Sequence, residues 1–155
     1  WAGRPGRLVK SVSPGEVYAV AALPDGSKVA AWTAQARPAP EVKKASTYRV
    51  FDADGKELVA VTDKALGIQA AAFAADLSVV VSGDESGAVR LWDLAKKEQA
   101  GGDWPLFDGP VADLGLTPDK GRLVAADAAG VVKVADVAKR AVLASATLPA
   151  AVRGL

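Results

Sequence analysis

The sequence contains no histidine, no cysteine and no methionine. Without His or Cys it cannot build a zinc finger, a Ser-His-Asp or Cys-His nucleophile, or a disulfide. The usual His, Cys and Met ligands of a haem are missing as well. An absence of cysteine suits any redox compartment. Aromatic residues are scarce: four Trp, two Tyr and three Phe in 155 residues. Apolar runs stop well short of the roughly 18 residues that a membrane-spanning helix needs. No apolar segment follows the basic residues 1–12, so no signal peptide is visible. The compartment stays open, with the cytoplasm favoured slightly. The chain begins at Trp1, which suggests a processed product or a segment of something longer.

What is present is small and branched. The sequence holds 33 Ala and 21 Val, half of it is hydrophobic, and 24% is charged. That balance is enough to fold around a core of small side chains. The net charge is +1, which gives no general attraction to nucleic acid or to an anionic membrane. Residues 1–50 carry eight Lys/Arg against three Asp/Glu, a net of +5, and residues 51–155 carry a net of −4.

The chain repeats. VYAVAALPDGSKVAAW (17–32), IQAAAFAADLSVVVSG (68–83) and VADLGLTPDKGRLVAAD (111–127) align, and each is followed by a second matching stretch. Those stretches are STYRVFD (46–52), GAVRLWD (87–93) and GVVKVAD (130–136). Their closing residues Asp52, Asp93 and Asp136 lie 41 and 43 positions apart. The turn residues Asp25, Asp76 and Asp119 lie 51 and 43 apart, so the first repeat carries ten extra residues. Pro24-Asp25-Gly26, Asp54-Gly55 and Asp119-Lys120-Gly121 predict tight turns between short strands. A run such as Val79-Val80-Val81 suits a strand covered on both faces. A β-sandwich would also show short strands and regular turns. The fixed period favours stacked repeats instead. No segment has a sustained helical period with caps.

SGDESGAVRLWD (82–93), with the Pro-Asp-Gly turn at 24–26 and TPDKGRLVAADAAGVVKVAD at 117–136, resembles the WD-repeat β-propeller family. The resemblance covers essentially the whole chain. It implies an all-β fold of propeller blades, each of four antiparallel strands, with about three complete blades in an open arc. The expected divisions are the outer strand of a preceding blade at 1–12 and blades at 13–62, 63–106 and 107–148. The first strand of a following blade is expected at 149–155. Family members carry a hydrogen-bonded set of His, Ser/Thr, hairpin Asp and Trp. Here the hairpin Asp positions hold Ser46, Ser86 and Ala129, and only Trp92 keeps its place, with Ser82 as a possible partner. The blades are therefore expected to lack the full network and to rely on apolar stacking. Three repeats do not close a ring of roughly 4–8 blades, so further blades or a second copy are expected to complete it.

The resemblance implies a non-catalytic scaffold that binds a protein or peptide through rim loops, with no cofactor and no metal. The alternative is the propeller portion of a multidomain enzyme whose catalytic residues lie elsewhere. The insertion at 34–46 is the first candidate contact: Pro38 and Pro40 stiffen it, and Arg37, Lys43 and Lys44, with Glu41 among them, suit an acidic partner. It could equally be a solvated loop. Trp104 and Phe107, in GGDWPLFDGP at 101–110, are the second candidate; the other reading is that both cap the core between blades. Asp52-Ala53-Asp54-Gly55 resembles the start of a calcium loop but lacks the later ligands, so a hairpin turn is expected. Ser86 has no base to activate it.

Overall fold

The computed structural model describes residues 16–34 and 45–149. All regular structure among them is β. The first sheet runs β1 (Glu16–Ala22), β2 (Lys28–Ala34), β3 (Ala45–Asp52) and β4 (Glu57–Leu66), paired in sequence order. The second runs β5 (Ile68–Phe73), β6 (Val79–Asp84), β7 (Ala88–Asp93) and β8 (Glu98–Gln99), and β9 (Trp104–Pro105) also pairs with β7. The third runs β10 (Val111–Leu116), β11 (Arg122–Asp127), β12 (Val131–Asp136) and β13 (Ala141–Thr147). Every pairing is antiparallel. The fold is all-β: three four-stranded sheets stacked like propeller blades in an open arrangement, the outer strand of the middle sheet being in two pieces. Neighbouring sheets meet along their first strands, β1 with β5 and β5 with β10.

The turn aspartates explain why the hairpins recur. Asp25, Asp76 and Asp119 each accept the backbone N–H two residues on, at 2.9, 3.0 and 2.9 Å. The residue after each Asp is left-handed: Gly26 (φ 74°), Leu77 (φ 60°) and Lys120 (φ 62°). A left-handed non-glycine costs roughly 1–2 kcal/mol, and both such residues gain something in return. Leu77 is 5% exposed in the core between the first two sheets. Lys120 reaches the neighbouring sheet's turn, with Nζ 2.8 Å from Asp76 Oδ2. The second hairpins are capped in the same manner: Asp84 accepts from the N–H groups of Ser86 and Ala88, and Asp127 from those of Ala129 and Val131.

Two cores result, one on each side of the middle sheet. Val80 and Val81 are both fully buried, Val80 against the first sheet and Val81 against the third. Alternation along a strand sends adjacent residues to opposite faces. The apolar run at 79–81 therefore serves two interfaces at once. Each first strand also carries an irregularity at its start, at Val17/Ala19, Ile68/Ala70 and Val111/Asp113. The three repeats thus share even this departure from ideal pairing.

Candidate functional site

Asp63 lies on β4, on the same face as the buried Val61, and is 1% exposed. Strand alternation puts a carboxylate on an apolar face here, and burying one costs several kcal/mol unless it is hydrogen-bonded. Four donors meet that need. Tyr48 Oη and Ser82 Oγ each donate to Oδ2 at 2.9 Å, Trp92 Nε1 donates to it at 3.2 Å, and the Ala65 N–H donates to Oδ1 at 2.9 Å. Tyr48 and Asp63 come from the first sheet, Ser82 and Trp92 from the second. The carboxylate therefore ties two sheets together. Burial first, then the Asp63 charge, pushes the Tyr48 phenol well above its ordinary value, so it remains a donor.

The full network with a histidine is absent, as the sequence requires, but the expectation that stability rests on apolar stacking alone is corrected at this point. The junction of the first two sheets has a polar network, built on a carboxylate from the preceding sheet. Asp63 lies on a fourth strand, away from the hairpin positions at which the family resemblance places its Asp. The available signal was an acid in the middle of a strand, in phase with Val59 and Val61. No such set occurs among the described residues at the junction of the second and third sheets, where the position of Trp92 is taken by the buried Ala135.

Arg90, on β7, organises a second group. Its Nη1 donates to Asp84 Oδ2 at 2.7 Å, while Nε and Nη2 donate to the two oxygens of Asp103 at 2.9 and 3.0 Å. Gln99 Nε2 also donates to Asp103, at 2.9 Å. The guanidinium fork thus holds the segment between β8 and β9 against β7. Burial opposes ionisation of Asp84, but hydrogen bonds from Ser86 and Arg90 prevail and its pKa falls. Asp103 is lowered chiefly by the bond from Arg90. Burial also opposes the charge on Arg90, yet its two carboxylate partners raise its pKa.

These connections meet at one rim. The Glu85 N–H donates to the Gly67 carbonyl, the Ala128 N–H to that of Pro110, and the Leu106 and Phe107 N–H groups to that of Gly87. In the second and third sheets the turn between second and third strands is thereby fastened to the connection between sheets. The first sheet's equivalent turn departs at Ala34 and returns at Ala45, at this same end.

The sequence-predicted positions divide. Arg37, Glu41, Lys43 and Lys44 lie outside the described residues. Trp104 and Phe107 are 8% and 7% exposed and belong to the core between the second and third sheets. That is the capping arrangement, and their rings are covered further by Arg140 and Lys133, 5.7 and 5.0 Å from the centroids. Asp52 Oδ1 accepts the N–H groups of Asp54 and Lys56, which is turn capping within a hairpin. Ser86 Oγ donates to Asp84.

No family model matches the chain, and no curated protein matches it. No helix among the described residues is long and apolar enough to cross a membrane. What the site can do follows from its chemistry. The aspartates at 25, 76, 84, 119 and 127 are engaged by their own turns, and Asp63 is saturated by four donors. The polar groups described here build a stiff rim.

Proposed function

We propose that the chain is a degenerate WD-repeat-type propeller segment acting as a non-catalytic scaffold for protein–protein contact. Its rim presents the 34–46 insertion to a partner with an acidic surface. The observation that carries this reading is the rim itself: backbone hydrogen bonds from Glu85, Leu106, Phe107 and Ala128 fasten the turns of the second and third sheets to the connections between sheets. A loop held on a rigid base loses less entropy on binding than a loop on a mobile one. Arg37, Lys43 and Lys44 add a basic character that favours encounter with an acidic surface.

The test compares the full chain with two variants. One replaces 35–44 by a turn as short as that at Asp84–Ala88. The other carries Arg37, Lys43 and Lys44 as Ala. Partners are captured by affinity and identified by mass spectrometry, and each is then titrated against all three proteins. Loss of binding in the shortened variant is expected, along with slower, less salt-dependent association in the alanine variant. A partner that binds all three proteins equally would remove the rim insertion from the mechanism.

A further inference from the structure

The two junctions of the stack are closed differently at the end opposite the Ala34–Ala45 rim. Between the second and third sheets, Lys120 follows the turn residue Asp119 and reaches across the seam. Its Nζ donates to Asp76 Oδ2 at 2.8 Å and to Ser78 Oγ at 3.0 Å. Between the first and second sheets, the residue in the place of Lys120 is Leu77, which follows Asp76 and turns into the core at 5% exposure. No ion pair among the described residues spans that seam, and a cavity of about 210 Å³ opens there. Val50 and Val59 of the first sheet and Leu77 and Leu94 of the second form its apolar walls.

The polar residues that line the cavity are Lys28, Asp76 and Ser78. Asp76 and Ser78 are already engaged. Asp76 Oδ1 accepts the N–H and the hydroxyl of Ser78, and Oδ2 is held by Lys120. Lys28 makes no hydrogen bond or close ion pair among the described residues. Its charge acts on Asp25, whose Oδ1 is taken up by the N–H and hydroxyl of Ser27. Asp52, opposite Lys28 across the strand pair, caps its own hairpin. The first seam thus has apolar walls and an ammonium group, and lacks the carboxylate that Lys120 finds in the second.

We propose that this cavity binds a short aliphatic monocarboxylate, with its chain between Val50, Val59, Leu77 and Leu94 and its carboxylate on Lys28. The ligand supplies to the first seam the ammonium–carboxylate pair that Lys120 and Asp76 make in the second. The cavity is smaller than the roughly 300–1,000 Å³ that a drug-sized ligand needs, which restricts the occupant to a small molecule. The apolar walls favour burial of a hydrocarbon chain, and a charge-assisted bond to Lys28 fixes its orientation.

Pentanoate is the probe, titrated into the full chain while the methyl resonances of its leucines and valines are followed by NMR. Saturable shifts at Leu77 and Leu94 are expected in the millimolar range, with weaker binding of pentanol and none of pentylamine. Lys28→Met keeps the aliphatic stem and removes the ammonium, and should bind pentanoate about tenfold more weakly. Ala95, which also lines the cavity, is exposed, and Ala95→Trp should block entry and abolish the shifts. Circular dichroism checks that the variants fold, with Lys28→Gln and Ala95→Leu as replacements. The inference is overturned if pentanoate produces no saturable shift at Leu77 and Leu94, if pentanol binds as tightly, or if the Lys28 variant binds pentanoate like the wild type. Partner binding at 34–46 is read separately, at the other end of the stack, so either proposal can fail without the other.

Discussion

Asp63 is the residue on which most depends. Replacing it by Ala leaves Tyr48 Oη, Ser82 Oγ and Trp92 Nε1 buried without their shared acceptor. Each orphaned buried donor costs roughly 1–3 kcal/mol, so a loss of about 3 kcal/mol or more is expected. Urea denaturation followed by tryptophan fluorescence measures it, and Asp63→Asn should lose less because an amide oxygen still accepts. Arg90 supports a pH prediction. Asp84 and Asp103 have lowered pKa values in the folded protein. The stability they contribute is therefore complete above the ordinary carboxylate range near pH 4, and is lost as pH falls below it toward their folded values. Arg90→Met removes the strongest influence on Asp103 and a main one on Asp84. It should cost about 2 kcal/mol at neutral pH and move acid unfolding to higher pH, as circular dichroism across an acid titration would show. Neither residue was found from sequence alone. Asp63 and Arg90 gain their roles from partners on other strands, and Trp92 is 29 positions from Asp63.

The hairpin is the element that the sequence describes most fully, and two glycines show how differently such turns depend on their surroundings. Gly26 and Gly87 are both left-handed, at φ 74° and 91°. Nothing lies near a side chain added at Gly26, whereas one added at Gly87 overlaps the carbonyl oxygen of Phe107. Gly26→Ala should cost only the conformational term of about 1 kcal/mol. Gly87→Ala adds a backbone clash, and strain of this kind is worth roughly 1–3 kcal/mol. A difference of at least about 1 kcal/mol between the two variants is expected in chemical denaturation; equal losses would mean that the 106–110 connection is free to move. The turn positions were legible because Asp, Gly and Pro act within a few residues. The close approach of the 106–110 connection was not, since it joins distant parts of the repeat. Trp104 and Phe107 show the same limit: composition marked them as unusual, and only packing of the third sheet against the second puts them inside.

At the scale of the whole fold, the three described sheets form a stack in which the outer two differ from the middle one. The second sheet is covered on both faces, β13 is exposed along its entire length, and Val17 and Val20 of β1 are largely open. Hydrogen exchange should therefore be slowest in β6 and β7 and fastest in β13, because local opening follows burial and contact density. Uniform protection across the three sheets would contradict this ordering. The sequence by itself determined the all-β class, the repeat register and the chemistry of the turns. All of these are set by interactions over a few residues and by strand alternation, which one-dimensional order carries directly. Only the tertiary structure decided that a buried carboxylate locks the first sheet to the second, and that the notable aromatics cap a core. Each of these rests on groups brought together by stacking, and the depth at which a side chain ends up is fixed by what the neighbouring sheet places above it.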